Sequence, residues 1–204
     1  MNIIRALGVI TKKGNCEFRS VSPFLPVFSF YEVHDSGAIR AEPEAIIAAV
    51  AALDPRADRV VDVLLSIREL PSTMRNSFRT PLQRQSFVPF GLDAFTLLQR
   101  TDNEITFGLV GRFWRPDFGI CHIPSARDFE ASSDPGVAKL VLRFQAIEHP
   151  GGPCTLRTET FVYCANTRTK PLFTPYWLAI RFASGWIRHR TLASIQRQLS
   201  TDKP

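Results

Sequence analysis

Residues 137–165 read VAKLVLRFQAIEHPGGPCTLRTETFVYCA, two β-rich runs joined by Pro150-Gly151-Gly152-Pro153. In the first run, Val137 to Glu148, Ala138, Leu140, Leu142, Phe144 and Ala146 alternate with Lys139, Arg143 and Gln145. That period of two predicts a half-buried strand with one wet face. The second run, Cys154 to Ala165, completes an antiparallel hairpin. It offers two parities, Leu156, Thr158, Thr160, Val162 and Cys164 against Thr155, Arg157, Glu159, Phe161 and Tyr163. A one-residue slip exchanges them, so periodicity alone leaves open which set faces inward.

Working outward, Ala94 to Arg100 and Glu104 to Trp114 are apolar-rich runs around Thr101-Asp102-Asn103, a second hairpin, and Asp117 to Ile123 continues the series. Alternation puts Thr106, Gly108, Val110, Arg112 and Trp114 on one face. Ile105, Phe107, Leu109 and Phe113 take the other, which is the expected core side. Gly108 and Gly111 mark sheet curvature or a close approach of the helix. Ser125 followed by Asp128 predicts a capped short helix over Ser125 to Ala131, and Asp134-Pro135-Gly136 turns the chain into the next strand.

Upstream, residues 1–22 carry no period and read as an N-terminal arm. Pro23 and Pro26 precede a strand from Val27 to Asp35, with Ser36-Gly37 as a turn or bulge. Pro43 fits a first helical position, Glu42 and Glu44 suit its positive end, and Ala45, Ile46, Ala49, Val50 and Leu53 form one apolar face. A second helix is expected from Ala57 to Leu70 and a long Pro-containing loop over 71–92. The last element is a long helix with Leu172, Phe173, Tyr176, Trp177 and Ile180 on one face, interrupted or kinked at Ala183-Ser184-Gly185. Ile187, Leu192, Ile195 and Leu199 carry its pattern on, leaving 201–204 as a tail. The order predicts one α+β domain over residues 23–200.

A chain of 204 residues buries about 70% of its unfolded surface, enough to fold without a disulfide or metal. Phe is in excess, at 16 against 3 Tyr and 3 Trp. A Phe-rich core is the default use of such a surplus, and an apolar ligand cavity is the alternative. From Asn166 onward seven basic residues face one acid, a difference equal to the whole chain's +6. No adjacent Lys/Arg cluster and no nucleic-acid signature accompany them, so a solvated helix face is expected, with no nucleic-acid partner. Cys16, Cys121, Cys154 and Cys164 lack metal-ligand spacing, and no metal or other cofactor is expected. Scattered thiols, a poor signal peptide and the lack of an 18-residue apolar run point to the cytoplasm and to no membrane span. His34, His122, His149 and His189 fall on different elements, and no GxSxG, GxGxxG or Walker loop occurs.

Gly108 through Pro116 (GLVGRFWRP), Asp134 through Lys139 (DPGVAK), Thr158-Glu159-Thr160, Tyr176-Trp177 with Ile180-Arg181, and Ser184 through Arg188 (SGWIR) resemble a bacterial branch of the SRPBCC (START-like, helix-grip) superfamily over residues 24–199. The resemblance implies an α+β helix-grip fold, a curved antiparallel β-sheet wrapped around a long C-terminal helix. Members bind lipids, sterols or polyketides, cyclise polyketides, or act as co-chaperones, so fold alone does not choose among them. No catalytic residue is carried over.

The implied cavity makes Arg112, Trp114, Phe144, Glu159, Tyr163, Tyr176 and Trp177 the pocket candidates. Arg112 beside Trp114 suits a carboxylate or enolate, with Glu159 as a partner for a buried guanidinium, whereas an exposed Arg lying along Trp114 is the commoner arrangement. Tyr176 and Trp177 lie about 100° apart on a helix, so only one faces the sheet squarely. The expected function is binding of a hydrophobic small molecule, lipid-like or aromatic, between sheet and helix. Cyclase- or hydrolase-like chemistry by Arg112, Glu159 or Tyr163 is one alternative. Protein interaction through the basic helix and the 71–92 loop is another.

Overall fold

The hairpin of residues 137–165 is the middle of the molecule. The computed structural model describes residues 22–52, 94–115 and 119–178, with residues 192, 193 and 195. Its elements in chain order are β1 (Phe30–Ile39), α1 (Pro43–Ala51), β2 (Thr96–Arg100), β3 (Glu104–Gly111), α2 (Ala126–Ala131), β4 (Ala138–Ile147) and β5 (Cys154–Cys164). Residues 169–178 are helical and are called α3. The arm up to residue 21, the helix expected from Ala57 to Leu70, the 71–92 loop, the Ala183-Ser184-Gly185 interruption and the tail lie outside the described residues.

The strands form one five-stranded sheet in the order β1-β5-β4-β3-β2, every pair antiparallel. β2 to β5 form a meander, with short turns between β2 and β3 and between β4 and β5 and a longer connection carrying α2 between β3 and β4, and β1 closes the edge beside the last strand. Ser36-Gly37 is the predicted irregularity, because the β1–β5 register shifts between Asp35 and Ala38. There the Ser36 hydroxyl accepts from the Leu156 N–H at 2.9 Å, standing in for a lost ladder bond.

Register assigns the faces and settles the parity of β5. Leu156, Thr158, Thr160, Val162 and Cys164 share a face with Phe30, Glu32 and His34 of β1, Ala138 to Ala146 at alternate positions of β4, and Ile105, Phe107 and Leu109 of β3. Helices cover that face. At one end α1 buries Ile46, Ile47 and Val50 against Ile39, Ile105, Phe144 and Leu156, joined by Leu192 and Ile195. At the other end Phe173 and Trp177 of α3 pack on Phe30, Leu109, Phe113 and Val162. Each such buried side chain contributes about 2 kcal/mol, so these two clusters hold the layers together.

The opposite face is covered too, which departs from the expected wet side. Leu25 and Phe28, from the segment before β1, and Phe129 of α2 pack on Leu98, Val110, Val141 and Phe161. Consequently Arg143, on the β4 face expected to meet water, is only 6% exposed. α2 forms where the capping pattern places it: Ser125 Oγ accepts from the Asp128 N–H at 3.2 Å and donates to Asp128 Oδ2 at 2.5 Å. Gly108 answers the question of close approach, and α2 is the element that approaches. A Cβ there would lie 2.8 Å from both Leu98 Cδ1 and Phe129 Cδ2.

Two further expectations change. β3 ends at Gly111, and a turn follows in which the Arg115 N–H donates to Arg112 O at 2.8 Å. Arg112 and Trp114 are therefore past the strand and do not continue its alternation. The strand expected from Asp117 to Ile123 reduces, among the described residues, to a bridge between Val110 and Cys121. Gly119, at φ +44°, turns the chain just before it.

Candidate functional site

Polar side chains gather at two places in this sheet, one on each face. On the face packed against α2, Glu159 stands directly across from Arg143, and Arg143 directly across from Thr106. Arg143 Nε donates to Glu159 Oε2 at 2.9 Å, and Arg143 Nη2 donates to the same oxygen. The Tyr31 hydroxyl donates to Glu159 Oε1 at 2.5 Å. The pair is 7% and 1% exposed, so each partner compensates for the other's lost hydration. Glu104 lies 4.0 Å from Arg143 Nη1 and accepts from Thr106 Oγ1 at 3.0 Å, and the Phe161 ring lies 5.4 Å from the guanidinium carbon.

Burial, with the hydrogen bond to Glu159 and the charge behind it, raises the Tyr31 pKa far above the ordinary phenol range. Tyr31 is thus a fixed donor. Both oxygens of Glu159 are engaged, which makes this network a lock between strands rather than a poised general base. Nearer the solvent, Arg157 and Asp35 form a forked pair at 2.7 and 2.8 Å that draws the Asp35 carboxyl below its ordinary range.

The helix-bearing face differs. Between its two apolar clusters lies a strip in which Glu32, Thr160, Leu142 and Phe107 make one cross-strand row. His34, Thr158, Phe144 and Ile105 make the next. Thr158 is 0% exposed and Thr160 2%, and among the described residues neither hydroxyl has a hydrogen-bond partner. His34 Nε2, also buried, lies 3.2 Å from Glu32 Oε1 but out of line for a hydrogen bond. An unpaired buried hydroxyl costs about 1–3 kcal/mol, so the strip opposes stability and calls for another explanation. Beside it, Phe107, Leu140 and Leu142 stay half-buried although they occupy the centre of a helix-covered face.

The seven pocket candidates do not converge. Phe144 and Trp177 lie on the helix-bearing face in separate clusters. Trp114 swings back toward α3, its ring 6.3 Å from Phe173, and Tyr176 stacks obliquely 5.4 Å from the same ring. As the helical angle requires, Trp177 is the one buried, at 2%. Glu159 and Tyr163 project from the other face. Arg112 Nε donates to Gly136 O at 3.2 Å and Nη2 lies 4.0 Å from Asp134, tying the end of β3 to the turn before β4. Among the described residues no contact joins Arg112, Glu159 and Tyr163. Tyr163 instead lines an open groove of about 450 Å³ with Phe24, Pro26 and Lys139. Burial lowers the Lys139 pKa, although its ammonium donates to Glu130 O and Ser132 O at 3.3 and 3.2 Å.

No family model, curated protein or solved structure matches this chain.

The remaining chemistry is sparse. Among the described residues no three His, Cys, Asp or Glu side chains gather as a metal site, and no helix is long and apolar enough to cross a membrane. Burial pushes the Cys164 thiol up to about 12, far from reactive thiolate. None of Thr158, Thr160, Glu32, His34, Tyr31 and Arg143 was among the pocket candidates read from the sequence. The two threonines left a signal, since they interrupt the otherwise apolar parity Leu156, Val162, Cys164.

Proposed function

We propose that this chain is a helix-grip protein that holds a hydrophobic small molecule between its sheet and the helices on it. The observation that supports this is the half-buried state of Phe107, Leu140 and Leu142 at the centre of a face whose two ends are fully packed. In a simple core the centre is the driest part, and apolar surface left accessible there belongs to a space that a ligand fills. The Phe surplus suits its walls, with Phe107 and Phe144 edge to face at 6.5 Å.

The test is fluorescence of the apolar dye N-phenyl-1-naphthylamine. Saturable enhancement at about one dye per chain is expected. Leu142→Trp fills the space and abolishes it, while Val33→Ser, on the exposed edge of β1, leaves it intact. No enhancement with the native chain, or equal enhancement with Leu142→Trp, contradicts the proposal.

A further inference from the structure

Resting on that reading, we infer that the ligand is an uncharged amphiphile. Its hydroxyl or carbonyl end is held by Thr158 and Thr160 of β5, beside Glu32 and His34 of β1. The geometry is a block of four polar side chains. Thr158 and Thr160 are two residues apart on one strand, and His34 and Glu32 stand directly across from them in that order. Such a block measures roughly 5 Å across the strands and 7 Å along them, the size of one small polar group. The half-buried Leu142 is directly across from Thr160 on the other side, so the polar block borders the apolar space.

The chemistry of the block selects the class. Both hydroxyls are buried without a partner among the described residues, each with one hydrogen to donate and lone pairs to accept. Both are covered in this conformation, so a ligand reaches them by displacing what lies over them. Ending their unpaired state favours that displacement. A plain hydrocarbon fills the apolar space and leaves both hydroxyls unsatisfied. A carboxylate carries a full charge to hydroxyls that are 0% and 2% exposed, and neutral Thr158 and Thr160 replace little of the hydration it gives up. An alcohol, ketone or ester avoids both penalties.

The experiment is displacement of N-phenyl-1-naphthylamine from the full chain by dodecan-1-ol and by dodecanoate. The alcohol is expected to compete at a concentration about tenfold or more below the carboxylate, and each of Thr158→Val and Thr160→Val to weaken it about fivefold, one ordinary hydrogen bond apiece. The same substitutions keep shape and remove an unpaired group, so dye binding and thermal midpoint are expected to hold or rise. If dodecanoate competes as well as dodecan-1-ol, or the valine variants take the alcohol unchanged, the inference is wrong and the cavity stands. If neither dye nor alcohol binds the native chain, the cavity and the inference fall together.

Discussion

Replacing Glu159 by Ala tests whether the Arg143 network is a lock. The substitution removes the acceptor of two Arg143 donors and of the Tyr31 hydroxyl at once. It leaves the guanidinium, whose side chain is 7% exposed, with the Glu104 carboxylate at 4.0 Å. Breaking a buried pair in this way costs about 3–5 kcal/mol, a large share of the roughly 5–15 kcal/mol that holds a domain folded. Replacing both partners, as Arg143→Met with Glu159→Ala, removes the guanidinium together with its carboxylate and is expected to recover part of the loss. Urea denaturation followed by tryptophan fluorescence reads the native chain, Glu159→Ala, Arg143→Met and the double variant. The expected interaction energy between the two sites is about 2 kcal/mol or more in favour of the double variant over the sum of the singles. Additive singles, or a Glu159→Ala protein within about 0.5 kcal/mol of the native chain, would refute the reasoning.

Gly108→Ala is expected to lower stability by about 1–3 kcal/mol, because its Cβ enters space held by Leu98 and Phe129; an unchanged urea midpoint would show that α2 yields freely. A group whose pKa is raised by folding stabilises the fold fully below its unfolded pKa and progressively less above it. The contribution of Tyr31 is therefore complete below about pH 10 and declines only in stronger alkali. Tyr31→Phe should accordingly leave the tyrosinate absorbance titration of the folded protein unchanged up to about pH 11, and a lost step near pH 10 would contradict this.

Much of the sheet was legible because its signals are local. Alternation in residues 138–147, the Pro150–Pro153 turn and the Ser125–Asp128 cap all act within a few residues, and the structure keeps them. The parity of β5 was not local. It depends on β1 crossing to the far edge and on α1 and α3 choosing one face, so Glu159 and Tyr163 could not be assigned a side from their own strand. Arg143 looked like a solvent-facing residue for a similar reason, since nothing in β4 announces that Leu25, Phe28 and Phe129 come from elsewhere to cover it. Arg112 and Trp114 were displaced by a turn after Gly111 that alternation could not foresee. The polar strip had a sequence trace in Thr158 and Thr160, but its meaning required knowing that Glu32 and His34 stand opposite.

The proposed ligand space lies at the centre of the helix-bearing face. Methyl NMR of the full chain during titration with dodecan-1-ol tests it directly. Saturable shifts at Leu140, Leu142, Thr158 and Thr160 are expected, with Leu98 and Val141 of the other face unmoved. Shifts confined to Leu98 and Val141, or none at all, would contradict it.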